Sequence, residues 1–332
     1  RTRVNSVAAQ TSAGDIGLNE SFAFNVTGLT DVALVQASQN GLSSRGLLFD
    51  EPMTGLRTGA NGGVYILAQG LNVNASPAIG QDLGIAAGSG GITIELTGNG
   101  DNYLRGTLSA TGGAVAQAGG VVLQAKAGSI SVVSGLDLTR QPVILASALD
   151  VRAMGGIDAM EVAADSLQAV AGEGELRFTD RDGWGANTGL SLGVLQASQG
   201  GVHIVTEGSL QGQAALKVAS GKALDLMAYD AINLSTNSTL VAVSGLVGEV
   251  SLVAGGLISA AARAFVRAGS SDKARAGSTV LPTTGVTTLT SANVAAKNNV
   301  FIAGDVVLSD ISAVALGSPT LKVGGSLWIT GA

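Results

Sequence analysis

Few residues in this chain are equipped for chemistry. It has one histidine, His203, and no cysteine. A His-based catalytic triad or a His- or Cys-rich metal site therefore cannot be assembled from it. His203 sits between Val202 and Ile204, which makes it an outward-facing surface position on a strand. The densest charged cluster is Glu173, Glu175, Arg177, Asp180 and Asp182, followed by Trp184. Paired carboxylates are the tools of glycosidic cleavage. Glu173 and Glu175, two apart on a strand, would share a face, and Trp184 would offer a ring for a sugar or a cap for the core. Asp180-Arg181-Asp182-Gly183 resembles the start of an EF-type calcium loop, without its later ligands or terminal Glu. Glu173, Glu175, Asp180, Asp182 and Trp184 are thus the candidate glycan or calcium contacts. A solvated, protruding charged loop accounts for the same residues without chemistry. No catalytic residue is assigned, and no other metal or cofactor is implied.

Other motifs are weaker. Gly98-Asn99-Gly100-Asp101-Asn102-Tyr103-Leu104 is similar to a calcium-binding nonapeptide, with the Asp displaced by one and no tandem copy. It reads better as a Gly-rich turn. Sequons occur at Asn19, Asn25, Asn74, Asn233 and Asn237, as expected by chance where Ser and Thr are frequent. Thr283, Thr284, Thr287, Thr288 and Thr290 form one local run, not the coil-after-coil ladder that ice binding needs.

Composition limits what could position such residues. The chain has 332 residues, 49 of them Gly, with 13% charged and 3% aromatic. Gly is costly inside helices, so a helix-rich fold is disfavoured. The chain is too apolar for disorder. A net charge of −6 with 18 Lys plus Arg argues against nucleic-acid binding. The apolar stretch 240–262 carries Ser and Gly at turn spacing, so it reads as short buried strands rather than a membrane span. Arg1 and the strand-like run to Ala332 read as ends cut from something longer. The absence of Cys suits an exported protein.

Short β-strings recur throughout. Between residues 202 and 265 they start 6 to 10 residues apart, and every third start falls 22 to 26 residues on. From Val300 to Leu327 the third start recurs at 21. Within strings the pattern is in-out-in, as at Leu224-Asp225-Leu226 and Leu321-Lys322-Val323. Three short strands per 20–26 residues predicts an all-β, right-handed parallel β-helix, a solenoid with Gly supplying the positive-φ corners. An antiparallel sandwich would need more hairpin dipeptides than Asn40-Gly41, Asn61-Gly62 and Asn99-Gly100. Residues 1–62 read as an irregular N-terminal β segment, either a decorated coil or an extra strand pair outside the helix, with a corner at Arg45-Gly46. Residues 63–332 read as the solenoid, with protruding loops near 173–189 and 269–285. The Ala-rich stretch 146–171 also admits a helix, but Gly155-Gly156 opposes one.

Strings such as Val121-Val122-Leu123-Gln124-Ala125-Lys126-Ala127-Gly128-Ser129-Ile130 and Val250-Ser251-Leu252-Val253-Ala254-Gly255-Gly256-Leu257-Ile258 resemble filamentous-haemagglutinin-type repeats. Gln36-Ala37-Ser38-Gln39-Asn40-Gly41 also recurs as Gln196-Ala197-Ser198-Gln199-Gly200-Gly201. The resemblance implies the repeat region of a giant bacterial exoprotein, a right-handed β-helical rod at the cell surface or in an extracellular matrix. Its implied partners are host or bacterial surfaces, glycans, or copies of itself in end-to-end or lateral assembly. The alternative is a β-helical protein that binds or cleaves polysaccharide.

Overall fold

The computed structural model describes residues 5–29, 32–37, 44–49, 53–59, 61–74, 84–100, 102–104, 108–110, 119–132, 144–181, 189–235, 238–242, 249–254, 258–260, 265–268, 286–290, 292–296, 300–302, 305–309, 312–315, 321–323 and 327–330. All regular structure among them is strand. The strands pair in parallel within one continuous sheet, apart from two short antiparallel pairs. Pairing skips over neighbours in sequence. Val64–Ala68 pairs with Ile92–Leu96, which pairs with Gly120–Ala125, which in turn pairs with part of Ile144–Ala153. Two other strands intervene at each of the first two steps. The result is solenoid-like, a sheet wrapped nearly closed around a single apolar core.

The alternation of side chains explains the wrapping. Val64–Ala68, Ile92–Leu96 and Leu176–Asp180 bury every other residue and expose or half-expose those between. Register then stacks like on like. Ile16, Val64, Ile92 and Val121 form one inward column, and Leu176, Val202 and Leu224 another. All seven are buried. Large aromatic side chains are scarce in this core, where Phe24 and Phe178 sit among Ile, Leu, Val and Ala.

Strands of the N-terminal segment already join the main sheet. Ala9–Gln10, Ile16–Asn19 and Ala23–Val26 pair in parallel with Leu56–Arg57, Val64–Ala68 and Gly70–Val73. Much of the segment 1–62 is therefore part of the same sheet. The irregular part is an arm between Val26 and Leu56. There Val32–Ala37 pairs antiparallel with Ser44–Phe49, and Gly28–Leu29 with Met53–Thr54. Arg45-Gly46 lies inside that strand pair instead of at a corner. The arm lengthens this turn to the 48 residues separating Asp15 from Gly63, whose amide donates to the Asp15 carboxylate at 2.7 Å.

One expectation changes over its described part, and the strand reading of 146–171 holds. The loop near 173–189 is, over its described part, a tight corner at 172–175 followed by the strand Leu176–Asp180. Of the charges that suggested a loop, Glu173 and Glu175 lie in the corner, Arg177 faces outward on that strand, and Asp180 is its buried last residue. The loop near 269–285 lies outside the described residues. The stretch 146–171 is strand, in Ile144–Ala153 and Ile157–Ala171, where small side chains suit close stacking.

Glycine serves the corners mainly by its size. Positive φ occurs at Gly14, Gly55 and Gly91 among the described residues. Elsewhere the need is for room between stacked corners. A Cβ on Gly174 would overlap the Cα of Gly156, and one on Gly200 would overlap the carbonyl oxygen of Gly174. Paired strands about 4.8 Å apart leave no space there for a side chain.

Candidate functional site

The strand Leu176–Asp180 carries most of the charged cluster but does not gather it. Glu173 is exposed in the corner, so it and Glu175 do not sit two apart on a strand. Glu175 is ion-paired with Arg177, whose Nε donates to it at 2.7 Å. Asp180 is at the far end of the strand, about 16 Å from Glu175 at 3.3 Å per residue. That exceeds the separations at which paired carboxylates cleave glycosides. Asp180 also faces inward and is buried, 3% exposed. It accepts from the Thr206 hydroxyl at 2.8 Å and from the Ala164 amide at 3.4 Å. A buried carboxylate is tolerable there because hydrogen bonds replace its water. Asp182 and Trp184 lie outside the described residues. Among the described residues no group of three or more His, Asp or Glu side chains could hold a metal ion.

Register brings together charges that the sequence reading left apart. Arg177, His203 and Asp225 are register partners in one outward column on three paired strands, and Asp158 lies beside Arg177 at a register shift. Nδ1 of His203 lies 2.7 Å from a carboxylate oxygen of Asp225, 22 residues further on. Arg177 approaches Asp158 at 3.8 Å. Beside this column, Arg181 bridges Glu161 at 2.9 Å and Glu207 at 3.0 Å. The hydrogen bond with Glu161 is the main reason that the Arg181 guanidinium holds its proton more tightly than usual, while burial acts the other way. Such half-exposed pairs are worth about 0.2–1 kcal/mol each. Their arrangement is a stack of ion pairs and hydrogen bonds that ties each strand to the next. His203 was expected to be a plain surface position; the signal that reveals its partner is the repeat length, which places residue 225 beside residue 203.

A second arrangement lies on the face built by Ile16–Asn19, Val64–Ala68 and Ile92–Leu96. The outward positions form two rows across three strands: Gly17, Tyr65 and Thr93, then Asn19, Leu67 and Glu95. These six residues border a shallow hollow of about 330 Å³. Tyr65 is 46% exposed and Leu67 37%. The edge and hydroxyl of the Tyr65 ring lie about 3 Å from where a Cβ of Gly63 would be, so the ring is laid back along its own strand. Gly17 leaves the neighbouring position open, with nothing within 4 Å of a Cβ built there. Glu95 is ion-paired with Lys126.

No helix among the described residues is long and apolar enough to cross a membrane. Compared with protein-family models, with curated proteins and with solved structures, the chain matches none.

Proposed function

We infer that this chain is a right-handed parallel β-helix, with three strands per coil, from a large secreted bacterial surface adhesin or extracellular matrix fibre. It acts as a rigid rod in adhesion or biofilm cohesion, and it carries no catalytic centre. The observation that supports this reading is the unbroken parallel stacking of strands on one apolar core. In such a stack each coil satisfies the backbone hydrogen bonds of the next, so stiffness is a property of the whole length. The filamentous-haemagglutinin-like texture of the strings agrees with it, and so does the absence of cysteine. Exposed edge strands of such a stack invite pairing with other copies. Electron microscopy of the protein from its native source tests the reading. Long rods with an axial repeat of about 4.8 Å are expected. Compact particles without that repeat would overturn it.

A further inference from the structure

We propose that the hollow between Gly17, Tyr65, Leu67, Thr93, Glu95 and Asn19 is a binding site for a neutral saccharide, about one or two pyranose units of a longer glycan. The inference goes beyond the rod reading and stands on separate observations. The central strand supplies an apolar floor, the laid-back ring of Tyr65 and the side chain of Leu67, both well exposed. The two flanking strands supply a polar rim: the Asn19 amide on one side, the Thr93 hydroxyl and Glu95 carboxylate on the other. A pyranose has this same division, with an apolar C–H face and an edge of hydroxyl groups. Its face lies on the ring, while its hydroxyl groups donate to Glu95 and exchange hydrogen bonds with Asn19 and Thr93. A purely apolar ligand would strand those three polar groups.

Charge and shape narrow the class. The single charged residue lining the hollow is a carboxylate, and Lys126 neutralises it. The chain as a whole carries −6. An acidic polysaccharide is therefore repelled, and a neutral one is accepted without desolvating an unpaired charge. The volume of about 330 Å³ is at the lower end for small-ligand sites. The hollow is open along the sheet face, which allows a glycan chain to enter by an internal unit. Gly17 makes the entrance, because any side chain at that position would project beside the Tyr65 ring.

The test uses the full chain with cellotetraose, mannotetraose and tetraacetylchitotetraose as probes, followed by titration calorimetry and saturation-transfer NMR. At least one should bind with Kd of about 0.1–1 mM. Tyr65→Ala should weaken that binding at least tenfold, and so should Gly17→Leu, which fills the entrance. Because a Cβ at residue 17 meets nothing within 4 Å, Gly17→Leu should leave the melting temperature within about 2 °C, which separates loss of the site from loss of the fold. Thr239→Ala, six coils away on the same face, should bind as the parent does. Failure of all three probes at about 10 mM, or binding unchanged in both site variants, would overturn the proposal. Either result leaves the rod reading to its own test in the microscope.

Discussion

Two glycines separate packing from flexibility at the scale of single residues. Gly174 is wedged against Gly156 of the preceding coil, whereas Gly17 faces open space. Gly174→Ala should therefore lower unfolding stability by about 1–3 kcal/mol, the usual cost of overpacking, while Gly17→Ala should change it by less than about 1 kcal/mol. Paired denaturant titrations read both, and equal losses would contradict the stacked-corner account. Asp165 gives a pH prediction. Desolvation raises its carboxyl above the ordinary carboxylate value. Its ionisation therefore opposes folding, so the associated stability is present at low pH and lost as pH rises through the folded-state value. Asp165→Asn should be more stable than the parent at pH 7, with the difference closing below about pH 4. A difference independent of pH would show that burial of the charge is not the cause. The sequence exposed the roles of few individual residues. Asp180 looked like a loop ligand, but it is an inward rung held by Thr206, because the strand alternation runs on through it. The partner of His203 was hidden because contact depends on register, which no local string contains.

At the scale of elements the strings were legible where the alternation was clean. Those starting at 202, 224, 232 and 250 correspond to the strands Val202–Thr206, Ala223–Ala228, Ile232–Leu234 and Glu249–Ala254. The strings at 210 and 216 fuse into one strand, Ser209–Ser220, that bends between two faces. Gly212 marks the corner in the sequence, but the backbone turns there without leaving extended geometry, so the break is not an end of the strand. The arm was legible as strands, and an extra strand pair outside the helix is one of two readings the sequence leaves open, since parallel and antiparallel pairing draw on the same residue types. Its base is closed by the antiparallel pair Leu29 with Met53. Replacing residues 30–52 by Asn-Gly, a tight hairpin connection, should leave the main sheet folded, with a melting temperature within about 5 °C of the parent. Circular dichroism and thermal melts read this directly. Unfolding of the shortened chain would mean that the arm supports the first coils.

Over the whole molecule, the account rests on rungs that add along one axis. A closed barrel or an antiparallel sandwich made from the same strands would bring distant rungs back together. The outward column Thr93, Val122, Asp150, Gln168, Val194, Lys217 and Thr239 supplies the ruler: most neighbours are direct register partners, and a register shift separates Gln168 from Val194. The parent chain has no cysteine, so paired cysteine substitutions can carry spin labels without background. The deciding measurement is the electron–electron distance from residue 93 to residues 194, 217 and 239 in three doubly labelled variants. Stacked coils predict about 19, 24 and 29 Å, one increment of about 4.8 Å per rung. Distances that level off or shorten across the series would contradict the stack, and with it the rod.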